Sequence, residues 1–154
     1  MLKKVIFIFF TVFVFLFIAF GYSQAKILIK SLEHDQISIN IYHDSLEMAD
    51  NNNVLIDRYL MEPWIIIDGC LYSDEKVVFV ILGREGEIRG ERLACYKFEG
   101  GKFQEKWIDN NRQMNPWKIL MCDVAGDGKT EVAVGVWKTA TFHTCLLYTS
   151  ADAD

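Results

Sequence analysis

From residue 26 onward the alternation of apolar and polar positions reads as a succession of short strands. Residues 26–32 and 37–42 are rich in β-branched side chains, and the second run alternates strictly, with polar residues 33–36 between them able to turn a hairpin. Residues 45–53 are acidic and asparagine-rich, which predicts a surface loop, and residues 54–60 fit no single period. Pro63 then ends whatever precedes it, because its ring restricts Glu62 and it has no N–H to donate. Residues 77–82, 119–122 and 132–136 are apolar at successive positions, as in strands covered on both faces. Residues 93–98 and 103–108 mix apolar with charged side chains around Gly100-Gly101, which predicts a hairpin with one wet face.

A second pattern lies over the first. At an offset of 53 residues, Pro63, Trp64, Ile66, Asp74 and Lys76 coincide with Pro116, Trp117, Ile119, Asp127 and Lys129 without a gap. A period near 50 residues points to an array of similar sheets, with two buried strands and a half-exposed hairpin per unit. Trp64, Trp107, Trp117 and Trp137 then read as packing residues between units rather than as a sugar-stacking platform.

The ends differ from this middle. Lys3 and Lys4 precede an almost unbroken apolar run over residues 5–20, and Ser23 and Ala25 place small residues at the −3 and −1 positions of a signal-peptidase site. Residues 1–25 therefore read as a signal peptide or, uncleaved, as an N-terminal membrane anchor helix. The run is slightly short of the roughly 20 residues of a membrane span. Either reading places the chain from Lys26 outside the cytoplasm. At the other end, Cys145-Leu-Leu-Tyr-Thr-Ser150 resembles the in-frame translation of a transposon-end sequencing adapter, and Ala-Asp-Ala-Asp154 fits continued read-through. Residues 145–154 then form a non-native tail, and the natural chain departs near Thr144; the plainer alternative is an apolar strand with an acidic tail.

The 154 residues carry a net charge of −5, and the leader lysines and tail aspartates cancel, so the segment between them is equally acidic. That balance argues against nucleic acid and against an anionic membrane surface as partner. Cys70, Cys95 and Cys122 show no CxxC spacing for zinc; export permits a disulfide, but three thiols leave one unpaired and do not identify the pair.

Candidate chemistry concentrates in Asp123-Val-Ala-Gly-Asp-Gly-Lys-Thr-Glu131. Asp123, Asp127 and Glu131 occupy loop positions one, five and nine, and Gly128 allows the tight turn that brings acidic groups around one point. Position three, where a further oxygen ligand belongs, is Ala125. The competing reading is a polar hairpin held by Asp side chains on backbone N–H groups. Gly128-Lys129-Thr130 is no phosphate loop, because Asp123 stands where that motif needs glycine and a strand follows. His34, His43 and His143 are scattered, and the mixed Arg/Glu run over residues 84–92 reads as a self-compensated loop.

Residues 123–135 resemble an FG-GAP or VCBS-type repeat, the Asp-x-Asp-x-Asp-Gly unit of integrin-α-like propellers and many exported bacterial proteins. The resemblance implies an all-β fold, a partial β-propeller of about two antiparallel four-stranded blades over residues 63–144, with residues 26–62 as a β-rich segment contributing to an earlier blade. It implies Ca²⁺ bound by the side chains of Asp123, Asp127 and Glu131 and the backbone carbonyl of Lys129, with Ala125 a departure from the pattern. The stretch around Asp74 reads as a degenerate copy without metal. The function implied is a non-catalytic binding or scaffold module for a protein or glycan. The alternative is the N-terminal part of a propeller-based extracellular enzyme acting on polysaccharide or another polymer.

Overall fold

The computed structural model describes residues 26–87, 89–109, 115–137 and 143–148; the N-terminal segment read as signal or anchor lies outside them. Eleven strands follow one another in chain order, and no helix occurs among the described residues. The first sheet is β1 (Leu28–His34), β2 (Ile37–Tyr42), β3 (Ser45–Asp50) and β4 (Leu55–Leu60). A second holds β5 (Ile65–Tyr72), β6 (Val77–Gly83), β7 (Arg92–Glu99) and β8 (Lys102–Ile108). A third holds β9 (Pro116–Cys122), β10 (Glu131–Trp137) and β11 (His143–Tyr148). Every pairing is antiparallel between sequence neighbours, so each sheet is a simple meander. Residues 145–148, assigned by sequence to the tail, lie in β11 beside β10.

The sheets stack face to face, and β6 shows why. All seven of its residues are buried. Side chains alternate across a strand, so Val78, Val80 and Leu82 join Ile39, Ile41 and Leu46 of the first sheet in one core. Val77, Phe79 and Ile81 join Ile119, Val132 and Val134 of the third in another. A continuous apolar run is what such a strand requires. The neighbouring β7 was expected to be half-exposed. It is mostly buried instead, with Ala94, Tyr96 and Phe98 turned to the first core and Leu93 and Cys95 to the second. The wet strand of that hairpin is β8.

The predicted loop over residues 45–53 is also corrected: its first six residues are β3, buried at five positions. Its acidity misled because Glu47, only 8% exposed, is answered by Arg58 Nε at 2.5 Å and by Lys26 Nζ. Leu46 and Met48 face the core on the other side. Only the segment after Asp50 turns, with Asp50 Oδ1 accepting the N–H groups of Asn52 and Val54, each at 2.8 Å.

Like strands lie beside like: β1 neighbours β5, β5 neighbours β9, and β4 neighbours β8. These are sheet-edge strands, whose outward backbone groups need partners. Asp68, 5% exposed on β5, accepts the Ile119 N–H of β9 at 3.1 Å and meets Lys118 Nζ at 3.0 Å and Lys30 Nζ at 3.5 Å. Lys30 also donates to the Gly69 carbonyl at 2.6 Å. One carboxylate thus connects the first strands of all three sheets. At the opposite edge, Asp57 of β4 accepts the Phe103 N–H of β8 at 2.8 Å.

Replacing Asp68 by Ala strands the Ile119 N–H and takes the carboxylate from Lys118 and from Lys30, which keeps the Gly69 carbonyl. The lysines are partly exposed, so each pair contributes at most about 1 kcal/mol, while an orphaned buried donor costs about 1–3 kcal/mol. Asp68→Ala should therefore lower unfolding free energy by about 3 kcal/mol, read as a lower urea midpoint at unchanged slope. Asp68→Asn, which retains an acceptor, should lose clearly less. Equal losses would mean that the hydrogen bond is immaterial.

Candidate metal centre

The loop between β9 and β10, residues 123–130, opens with Asp123 and closes on Glu131, the first residue of β10. Gly126 and Gly128 adopt φ of 71° and 82°, left-handed values that glycine takes without strain. These two turns fold the loop back on itself. Asp123 Oδ1 accepts the N–H groups of Gly126 at 2.6 Å and Asp127 at 3.1 Å, and its Oδ2 accepts Gly128 N–H at 2.9 Å. Glu131 Oε2 accepts Val124 N–H at 2.7 Å and, weakly, Ala125 N–H at 3.5 Å. Asp127 Oδ1 accepts Lys129 N–H at 2.9 Å.

One oxygen each from Asp123, Asp127 and Glu131 lies within 4.8 Å of the other two. Ca²⁺ holds oxygens at roughly 2.3–2.6 Å, so ligands on opposite sides of one ion stand about 5 Å apart. The three carboxylates fit around a single cation. Asp123 and Asp127 are exposed and Glu131 is buried, so the cluster opens to solvent on one side. Three like charges this close repel, and the backbone N–H groups offset that repulsion in the free loop. Each carboxylate oxygen has two lone pairs. Asp123 Oδ2 accepts one backbone N–H, that of Gly128, and Asp127 Oδ2 lies 4.0 Å from Lys129 Nζ.

Three side chains fall short of the six to eight oxygens Ca²⁺ takes. Ala125 offers none, and Lys129 is exposed with its ammonium beside Asp127. The backbone carbonyl of Lys129 and water would have to complete the shell. The loop is thus a hydrogen-bonded turn whose three carboxylates stand close enough together for one cation.

The coincidence of Asp74 and Lys76 with Asp127 and Lys129 does not extend to shape. The β5–β6 turn has four residues, 73–76, against eight in 123–130. Lys76, at φ 55°, directly precedes β6, and its N–H donates to Ser73 O at 3.2 Å in a plain tight turn.

Sequence reasoning missed Asp68 and Glu47. Asp68 had a usable signal, a lone acid inside an otherwise apolar strand, which stays buried only when paired. The tryptophans divide. Trp64 and Trp107 pack against the two cores, Trp64 beneath Arg92 at 4.6 Å and Trp107 beside Phe79 at 6.0 Å. Trp117 and Trp137 are 36% and 41% exposed and meet edge-on at 6.3 Å. Arg84 pairs with Glu91 at 3.0 Å, in line with a compensated loop.

Cys70, Cys95 and Cys122 are free thiols, the first two buried. Cys70 and Cys95 both oppose Phe79, one on each side of β6, which separates them by two strand spacings, about 9.6 Å. A disulfide needs Cα atoms within about 7 Å. Burial pushes the Cys70 thiol up to about 12 and Cys95 to about 11. A folded-state value above the unfolded one stabilises fully below about pH 9. That contribution is lost as pH rises toward 11–12. Neither thiol should react with a maleimide in the native protein at pH 8. Urea midpoints should fall between pH 8 and 10.5, and Cys70→Ala should flatten that fall; an equally steep fall in the variant would assign it elsewhere, for instance to the buried Tyr96 phenol, which burial also holds up.

Compared with family models, with curated proteins and with solved structures, the chain matches none.

Proposed function

We propose that this chain is an exported, non-catalytic module in which the stacked sheets are blades of an FG-GAP/VCBS-type β-propeller. Its surface serves a protein or glycan partner, and the Asp123–Glu131 loop takes up Ca²⁺ weakly. The observation that carries this reading is that at both sheet junctions the second connection of one sheet is hydrogen-bonded to the first strand of the next, with the donor on opposite sides. Ile66 N–H at the start of β5 donates to His43 O in the β2–β3 connection at 2.7 Å. At the following junction Pro116 O, at the start of β9, accepts from Gly90 N–H in the β6–β7 connection at 2.6 Å. Both join the second connection of one sheet to the first strand of the next. Ile66 and Ile119, partners in the 53-residue offset, are each fully buried toward the preceding sheet. First strands gathered at one edge and fourth strands at the other are what a radial array requires.

Calcium is tested by thermal melting. With a dissociation constant of about 1 mM, as in extracellular modules, 10 mM Ca²⁺ should stabilise by about 1.4 kcal/mol, or about 4–6 °C. Mg²⁺, which demands stricter geometry, should do less. Ala125→Asp should enlarge the shift and Asp127→Ala should abolish it. If wild type and Ala125→Asp both melt unchanged with Ca²⁺, the loop is a turn and nothing more.

Export is tested separately, by fusing alkaline phosphatase, which folds only outside the cytoplasm, after residue 148. Activity is expected with residues 1–25 present and absent without them. Activity independent of those residues would overturn the localisation.

A further inference from the structure

A cleft of about 370 Å³ opens between the first and second sheets, at the end where their hairpins turn. That volume lies in the lower part of the range for small-molecule sites. Its apolar lining comes from Ile37, Met48, Ile56 and Phe98, one residue from each of four strands. Met48 and Phe98 belong to the packed core, so that side of the cleft is rigid. Phe98 N–H donates to Lys76 O at 2.9 Å and latches the β5–β6 turn onto β7. His34 stands edge-on to Phe98 at 5.4 Å and closes one wall. The cleft is therefore formed before anything enters it.

Charge on the rim is balanced. Asp35, Lys76 and Glu99 stand there exposed to water. Glu99 meets Lys97 Nζ at 2.7 Å, and this bond, then the charges of Lys97 and Lys76, hold its carboxyl below the usual carboxylate range. With Lys97 behind the rim, two acids face two lysines and neither sign is left over. A charged ligand would give up water and find no net charge in return, whereas an uncharged apolar body gains by burial. One hydrogen bond is missing. His34 Nε2 is buried without a hydrogen-bond partner, because Asp35 Oδ2, 3.3 Å away, is not aligned to make one. Such an unanswered atom is costly. His34 lines the cleft, so a turn of its ring about Cβ–Cγ presents the nitrogen to a ligand. A hydroxyl donates as well as accepts, and so answers Nε2 in either tautomer. The walls choose among neutral bodies: the Met48 thioether and the Phe98 and His34 rings favour an aromatic neighbour over a saturated one of like size.

We propose that this cleft binds a small uncharged aromatic alcohol of the phenol class, its ring laid on Met48 and Phe98 and its hydroxyl on His34 Nε2. The site is independent of the acidic loop and of whether the sheets belong to a propeller. Phenol is the probe, titrated into the full chain while amide chemical shifts and heats are followed. Benzoate and benzylammonium are its charged controls, cyclohexanol its saturated control, and toluene the control without a hydroxyl. Phenol should shift the amides of Ile37, Gly100 and Gly101 saturably. Both charged compounds should bind more weakly, and cyclohexanol roughly threefold more weakly for want of an aromatic contact. His34→Phe keeps an aromatic wall and removes the nitrogen. It should weaken phenol by roughly fivefold, the worth of one hydrogen bond, and leave toluene unweakened. No saturable shift, a charged compound or cyclohexanol bound as tightly as phenol, or a folded His34→Phe protein that keeps phenol undiminished or loses phenol and toluene alike would each overturn the proposal. The comparison of probes on wild type decides even where the variant fails to fold.

Discussion

The stack exists because β6 has no wet face. A strand apolar at every position cannot lie at the surface of a single sheet, since half of its side chains would face water. Burying a large aliphatic or aromatic side chain contributes about 1.5–3 kcal/mol, and β6 sends Val78, Val80 and Leu82 one way and Val77, Phe79 and Ile81 the other. The second sheet therefore needs a neighbour on each side. The first and third sheets supply the two cores, and the meander order keeps each connection short.

Apolar contact alone does not fix how sheets are placed along one another. Directional bonds do that here. Asp68 holds the edge of β9 and gathers lysines from β1 and β9, while Asp57 holds the edge of β8. A hydrogen bond to a sheet edge works in only one register, so these carboxylates set the offset between sheets that the cores leave free. They also occupy edge groups that would otherwise template pairing with another chain.

Much of this was legible in the residues. Alternation located β2, the run of valines located β6, and Gly100-Gly101 located the β7–β8 hairpin. Successive apolar positions announced that sheets lie on both sides. What failed was composition taken as exposure: the strand β3 reads as a loop because Glu47 and Asp50 look solvated, and residues 93–98 read as half-wet because Lys97 stands among their apolar side chains. Glu47 is hidden by Lys26 and Arg58 from elsewhere in the chain, and one strand read alone cannot reveal such partners. The acidic loop was legible as a set of carboxylates, because their spacing is local. That Asp123 would bind three backbone N–H groups was foreseeable only as one of two readings, since the same glycines serve both.

Apolar side chains stand in water at both ends of the stack. On the first sheet, Ile27, Leu28, Leu55, Ile56 and Leu60 are each at least 44% exposed, with Glu47, Lys26 and Arg58, and Ser31 donating to Asn40 at 2.7 Å, as polar patches among them. Leu120 of β9 alternates with core-facing Ile119 and so turns away from the second sheet, 51% exposed, and Trp117 and Trp137 are exposed nearby. Among the described residues, a further layer laid on either end would thus meet apolar contact, and the stack carries no built-in preference for one end.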